Sequence, residues 1–190
     1  MAERLQQLHI PVSILSSDDL AFEMCTEYNL AEKAPNKLTY TDICTTYRNK
    51  LEQRYQAAVL QAQKQRQGIV ILDRTYLSAR WRTEVLRLIN SKSVHCVTFD
   101  VTDEHAWHAN LSKRNKETPD KNITEQIISS LTRHATPPTI HEGFLSVNKC
   151  GALGEPGWED AFKQVITQLI HHYTKKLLTT EPYCHLTELV

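Results

Sequence analysis

"GIVILDRTYLSARWR", residues 68–82, changes character halfway along. Its first part, "IVILD" at 69–73, is a continuous aliphatic and β-branched run, too short for a helix. Such a run reads as a strand buried on both faces, which is the mark of a parallel sheet covered on each side. From Ser78 the pattern turns amphipathic and predicts a helix to Asn90. The same succession recurs outward in both directions. An apolar run at 10–15 gives way to a helix starting near Asp18 or Asp19, and "VHCVTFDV" at 94–101 precedes a helix over 103–113. "FLSVNKC" at 144–150 is a fourth strand, followed by the linker "GALGEPG" and an amphipathic helix over 158–178. Between the first two strands, residues 40–67 predict one long helix. Ile43, Tyr47, Leu51, Tyr55, Ala58 and Ala62 mark its apolar stripe, and Gly68 ends it. Residues 2–8 read as a helix tail, 114–122 as a charged loop, 124–134 as helix and the twelve residues after 178 as a tail. Strands alternating with helices predict an α/β fold, a parallel sheet with helices on both faces. Residues 1–150 form the main domain, and 151–190 a C-terminal helix and tail.

The totals narrow the function classes. The chain has 190 residues, 41% of them hydrophobic, enough for a core. Lys plus Arg and Asp plus Glu are equal at 22 each, so bulk charge selects no partner. The five cysteines are odd in number, scattered and without a CxxC pair, which argues against a zinc site or a disulfide framework. The histidines have neither HxxxH nor HExxH spacing, so no metal ligands are expected. No apolar run approaches a membrane span, and "MAERLQQLHI" has no apolar segment of a signal peptide. The expected setting is intracellular, cytoplasmic or nuclear, without a membrane partner; oligomeric state cannot be read.

Four stretches in register carry a resemblance: "SILSSDD" (13–19), "LDRTYLSARWR" (72–82), "VTFDVTDEHAWHANLSKR" (97–114) and "TRHATPPTIHEGF" (132–144). Together they resemble the P-loop kinase domains related to polynucleotide 5′-hydroxyl kinase and the zeta-toxin-like kinases. "LDRTYLSARWR" is similar to that family's D-x-T-N segment, with Tyr76 in place of Asn, and "PPTIHEGF" to its P-P-T-x-x-E-G-F segment. The resemblance implies a P-loop NTPase-like fold and transfer of the ATP γ-phosphoryl group, with Mg²⁺, to a hydroxyl acceptor such as a nucleic acid or nucleotide. It implies Asp18 as the catalytic base. It implies Asp73, Thr75 and Arg80 on the acceptor side, with Lys113, Arg114 and Arg133 over the nucleotide.

Read from the residues alone, each position keeps a plainer alternative. Asp18 or Asp19 also suits a helix cap, and Asp73 suits a contact to the next helix's start through the turn from Thr75 to Ser78. Lys113 and Arg114 suit a solvated helix C-terminus, and Arg133 a surface pair. Arg80, Arg82 and Arg87 around Trp81 suit either a nucleic-acid backbone with a stacked base, or a core tryptophan among solvated arginines. The sequence also departs from the family. Ala21 stands where members often carry a substrate-binding arginine, and Ala109–Leu111 do not match the first lid arginine.

The larger departure is the phosphate-binding loop. GxxxxGK[ST] wraps phosphates with backbone N–H groups, a lysine and a Mg²⁺-holding hydroxyl, yet no glycine precedes Gly68. Residues 1–8 then read as the tail of the helix that follows such a loop, with the central first strand missing upstream. ATP binding is accordingly expected to be weak or absent, and the second function reading is a degenerate, catalytically inactive domain that serves as a binding module. In the family's strand order, 2-3-1-4-5, loss of the first strand leaves a gap or lets "IVILD" pair directly with "VHCVTFD". A parallel strand from elsewhere in the chain filling the centre would overturn the tail reading.

Overall fold

The computed structural model describes residues 1–31, 37–64, 68–91, 93–100, 103–117, 123–151, 157–179 and 184–189. Four of its strands are those expected: β1 (Val12–Ser16), β2 (Ile69–Asp73), β3 (Val94–Asp100) and β4 (Ser146–Gly151). They form two small parallel pairs, β1–β2 and β3–β4, that do not pair with each other. Between them lies β5 (Cys184–Leu189), parallel to β2 on one side and to β3 on the other, giving the order β1-β2-β5-β3-β4.

That arrangement corrects the expectation of a gap or of direct β2–β3 pairing. An unfilled centre would leave two inner edges of N–H and C=O groups beside apolar surface, and burying those unbonded is costly. The C-terminal strand supplies the missing ladder. Helix α1 (Ala2–Gln7) is present, but its reading as the tail of a phosphate-loop helix, and the missing-strand argument with it, falls with the filled centre.

The side chains of β2 explain why the sheet is covered twice. Val70 and Leu72 join Tyr55, Val59 and Ala62 of α4 (Arg48–Ala62), and Val85 and Ile89 of α5 (Ala79–Ile89). Ile69 and Ile71 face the other way, onto Leu5 of α1 and Val165, Ile166 and Leu169 of α8 (Trp158–Thr179). A third cluster, Ala21, Met24 and Ile43, holds α2 (Ser17–Ala31) to α3 (Tyr40–Thr45).

The single long helix expected over 40–67 is in fact two, α3 and α4, broken at Thr46 and Tyr47. Tyr47 leaves helical geometry (φ −102°, ψ 16°) and its ring lies 5.0 Å from that of Tyr28 on α2. Tertiary packing overrides the local pattern there. Gly68 is not a helix cap, since α4 has already ended at Ala62. Its φ of +115° opens β2, and a Cβ there would come within 2.7 Å of the Pro11 carbonyl oxygen. That close approach admits only glycine. Helix α6 (Glu104–Glu117) runs past its expected end, so 114–117 of the expected loop are helical; 118–122 lie outside the described residues. Helix α7 (Glu125–Thr132) follows with no buried residue. Among the described residues, neither α6 nor α7 packs extensively on another element.

Candidate functional site

The carboxyl ends of parallel strands are where open α/β sheets place their ligands. Register pairs Ser16 of β1 with Asp73 of β2, and Asp73 with Glu188 of β5. Asp18 lies two residues after Ser16, in the first turn of α2, so the candidate base follows the strand whose end pairs with Asp73. The capping alternative for Asp18 is not what the structure has. Ser16 Oγ accepts the Asp19 N–H at 3.3 Å, and α2 starts at Ser17. Asp18 instead accepts a hydrogen bond of 2.9 Å at Oδ1 from the Tyr40 hydroxyl. Burial pushes the Tyr40 phenol up, with hydrogen bonds to Cys44 and Asp18 adding to it, so Tyr40 stays a neutral donor. Any acceptor hydroxyl reaching Asp18 competes with this bond or uses the other carboxylate oxygen.

The turn after β2 is built by α5. Ser78 Oγ accepts the Trp81 N–H at 3.3 Å, and Thr136 Oγ1 accepts the Ala79 N–H at 2.9 Å, so this helix start is held by hydroxyls. Thr75 is half-buried in the turn. Arg80 points to solvent and pairs with Glu84 at 3.0 Å. Lys113 and Arg114 lie on the exposed last turns of α6, where Lys113 reaches Glu117 at 3.9 Å. Arg133, exposed, closes α7. The structure thus sets Asp73 beside Ser16, with Asp18 in the helix turn that follows, and carries Lys113, Arg114 and Arg133 on a separate arm. Asn115 fastens that arm: its amide donates to Ile123 O at 3.0 Å and its carbonyl accepts the Ile123 N–H at 2.9 Å.

Two constellations were not foreseen. The first is a clamp around Arg82, which is fully buried where a solvated arginine was expected, while Trp81 keeps 38% of its surface in water. Arg82 donates to both Glu142 oxygens, Nε at 2.7 Å and Nη2 at 2.9 Å. Its Nη1 also donates to the carbonyls of Tyr76, Leu77 and Thr136 at 3.1, 2.9 and 2.9 Å. Glu142 in turn accepts the Thr139 N–H at 3.0 Å in a capping box. The T-x-x-E spacing of Thr139 and Glu142 was the available signal. The clamp assigns both halves of the resemblance, "SARWR" and "PPTIHEGF", a shared structural task.

The second is Arg74. Its guanidinium carbon lies 4.9 Å from the Tyr55 ring centroid and 5.9 Å from that of Tyr76, and Nη2 binds Glu52 at 2.6 Å. The Tyr76 hydroxyl donates to that of Tyr55 at 2.7 Å. Burial pushes the Tyr76 phenol up to about 12. Burial works against Glu52 ionising, but the hydrogen bond and charge of Arg74 outweigh it and hold the carboxyl below its usual value.

No GxxxxGK[ST] occurs in the sequence, and among the described residues no group of three His, Cys, Asp or Glu is placed to hold a metal ion. No helix among the described residues is long and apolar enough to cross a membrane. No curated protein and no solved structure matches the chain significantly. The family model described as "AAA domain" matches residues 1–138, which takes in the parallel pair β1–β2, strand β3 and the arm of α6 and α7. On that match the chain belongs to the AAA domain family, a distant P-loop NTPase-like domain.

Proposed function

We propose that this chain carries the acceptor half of a phosphotransferase site that works on a hydroxyl group of a nucleotide or nucleic acid. The observation that carries the reading is that Asp73 ends a strand beside Ser16, and Asp18 opens the helix that follows Ser16. Asp18 accepts the proton of the attacking hydroxyl while Tyr40 donates a hydrogen bond to its Oδ1. Asp73 and Thr75 position the acceptor, with Arg80 at the rim. Lys113, Arg114 and Arg133 ride on the arm of α6 and α7 and offset anionic charge when it closes. ATP with Mg²⁺ is the donor the family implies; a cradle for its phosphates is not supplied by these residues, and ATP should bind more weakly than micromolar.

A second reading, a non-catalytic binding module, is favoured by one specific observation. Tyr40 already occupies Asp18, and β5 fills the centre where the family's phosphate-loop strand belongs.

The test is label transfer from [γ-³²P]ATP–Mg²⁺ to a 5′-hydroxyl oligonucleotide by the full chain and by Asp18→Asn, with calorimetric titration of ATP. Phosphotransfer predicts a fall in turnover of about 100-fold or more in the variant, with ATP affinity unchanged. An equal loss of ATP affinity would make Asp18 structural. Transfer indistinguishable from buffer in both proteins would leave the binding-module reading standing.

A further inference from the structure

A cleft of about 490 Å³ opens between α4 and α5, lined by Arg48, Arg74, Tyr76, Trp81 and Arg87 among others. It is large enough for a small ligand, and it combines an apolar body with a few convergent polar groups, as ligand sites do. Its three arginines come from three separate places in the chain: the first residue of α4, the turn after β2 and the body of α5. Its acids are partly spoken for. Glu52 is bound to Arg74, and Glu84 to Arg80, which lies outside the cleft. The lining's three arginines outnumber its two glutamates, which leaves it net positive even though Arg48 also lies in the field of Glu52.

The floor is rigid. Arg74 rests on the rings of Tyr55 and Tyr76, whose hydroxyls are joined, so the guanidinium is held in one plane by its aromatic contacts and its ion pair. At the wall, Trp81 is 38% exposed although it sits on an amphipathic helix beside the buried Arg82. A tryptophan face open to water beside arginines suits a planar ring that stacks and an anionic group that accepts guanidinium hydrogen bonds.

We propose that the α4–α5 cleft binds a nucleoside 5′-monophosphate, its base stacked on Trp81 and its phosphate on Arg48 and Arg87. The site stands whether or not the strand ends carry out phosphotransfer, because none of Asp18, Lys113, Arg114 or Arg133 lines it.

The experiment is calorimetric titration of the full chain with AMP, GMP, CMP and UMP, with adenosine and inorganic phosphate as partial ligands. At least one monophosphate should bind with a dissociation constant below about 1 mM, and its separate parts about tenfold or more weaker. Trp81→Leu and Arg87→Gln, both changes at exposed side chains, should each weaken that binding about tenfold. Lys163→Gln, on α8 across the sheet, should leave it unchanged. Absence of heat with all four monophosphates up to about 5 mM would overturn the proposal. So would binding that survives both cleft substitutions, or phosphate alone binding as well as the whole nucleotide.

Discussion

Helices α5 and α6 are both rich in cations, and the molecule uses them in opposite ways. On α5, Arg82 is dry, bidentate to Glu142 and bonded to four carbonyls. On α6, Lys113 keeps 75% of its side chain in water and its partner Glu117 sits one turn away. The difference lies in what surrounds each charge. A buried guanidinium is tolerated only where fixed acceptors replace its water, and for Arg82 those acceptors arrive from residues 76–77 and 136–142. For α6 water does that work. One cation therefore holds the fold, and the others stay at the surface.

The strongest way to break this contrast is to unpair the clamp. Arg82→Met or Glu142→Gln leaves a buried charge or its carbonyl ring without its partner. Each should cost about 3–5 kcal/mol in urea unfolding. Arg82→Lys should recover little of it, because an ammonium cannot bridge both Glu142 oxygens and the carbonyls at once. A loss under about 1 kcal/mol would show that the clamp can relax onto water.

Alkaline titration sharpens the comparison more gently. Beneath α5, burial pushes Tyr76 up to about 12 from 10.0, and Cys96 up to about 12 from 9.0. The folded state therefore holds protons that the unfolded chain gives up sooner. Their contribution to stability is complete below pH 9 and declines as pH rises toward about 12. Thermal melts should show the midpoint dropping across that window. Tyr76→Phe should make the drop shallower, while removing one hydroxyl bond worth about 1 kcal/mol at neutral pH.

The smallest effect belongs to the other helix. Lys113→Ala with Arg114→Ala should move stability by no more than about 0.5 kcal/mol. If the arm works as a lid, the same pair should slow label transfer clearly. A loss of stability comparable to that of Arg82→Met would mean α6 packs in a way its exposure does not suggest.

Much of the fold was legible because its signals are local. "IVILD" can only be a strand covered on both faces, Ser78 and Asn90 bracket α5 as start and stop residues, and β4 and α8 fall where their patterns put them. β5 was not legible. "CHLTEL" mixes polar and apolar residues and lacks the continuous apolar run of β2, so only the demand of the unfilled sheet centre marks it. Asp18 and Asp73 could be named from the sequence, through the resemblance. Tyr40 could not, since its bond to Asp18 spans the break between α2 and α3. The role of Arg82 was hidden for the same reason: its partners sit far along the chain, and an arginine's burial is decided by them.

The position of β5 also bears on how the chain finds this structure. Val12 meets Ile69 and His95 meets Ser146, but Ile69 must also meet Cys184, roughly twice as far along the chain. Each doubling of loop length costs only about 0.6 kcal/mol of closure entropy, so the final sheet is scarcely weakened by it. Speed is another matter, because rates fall as contacts become more distant in sequence. The innermost strand of the sheet is the one whose contacts have the longest loops to close. Refolding should consequently be slow, with β5 amides among the last to gain protection from hydrogen exchange although they end at the middle of the ladder.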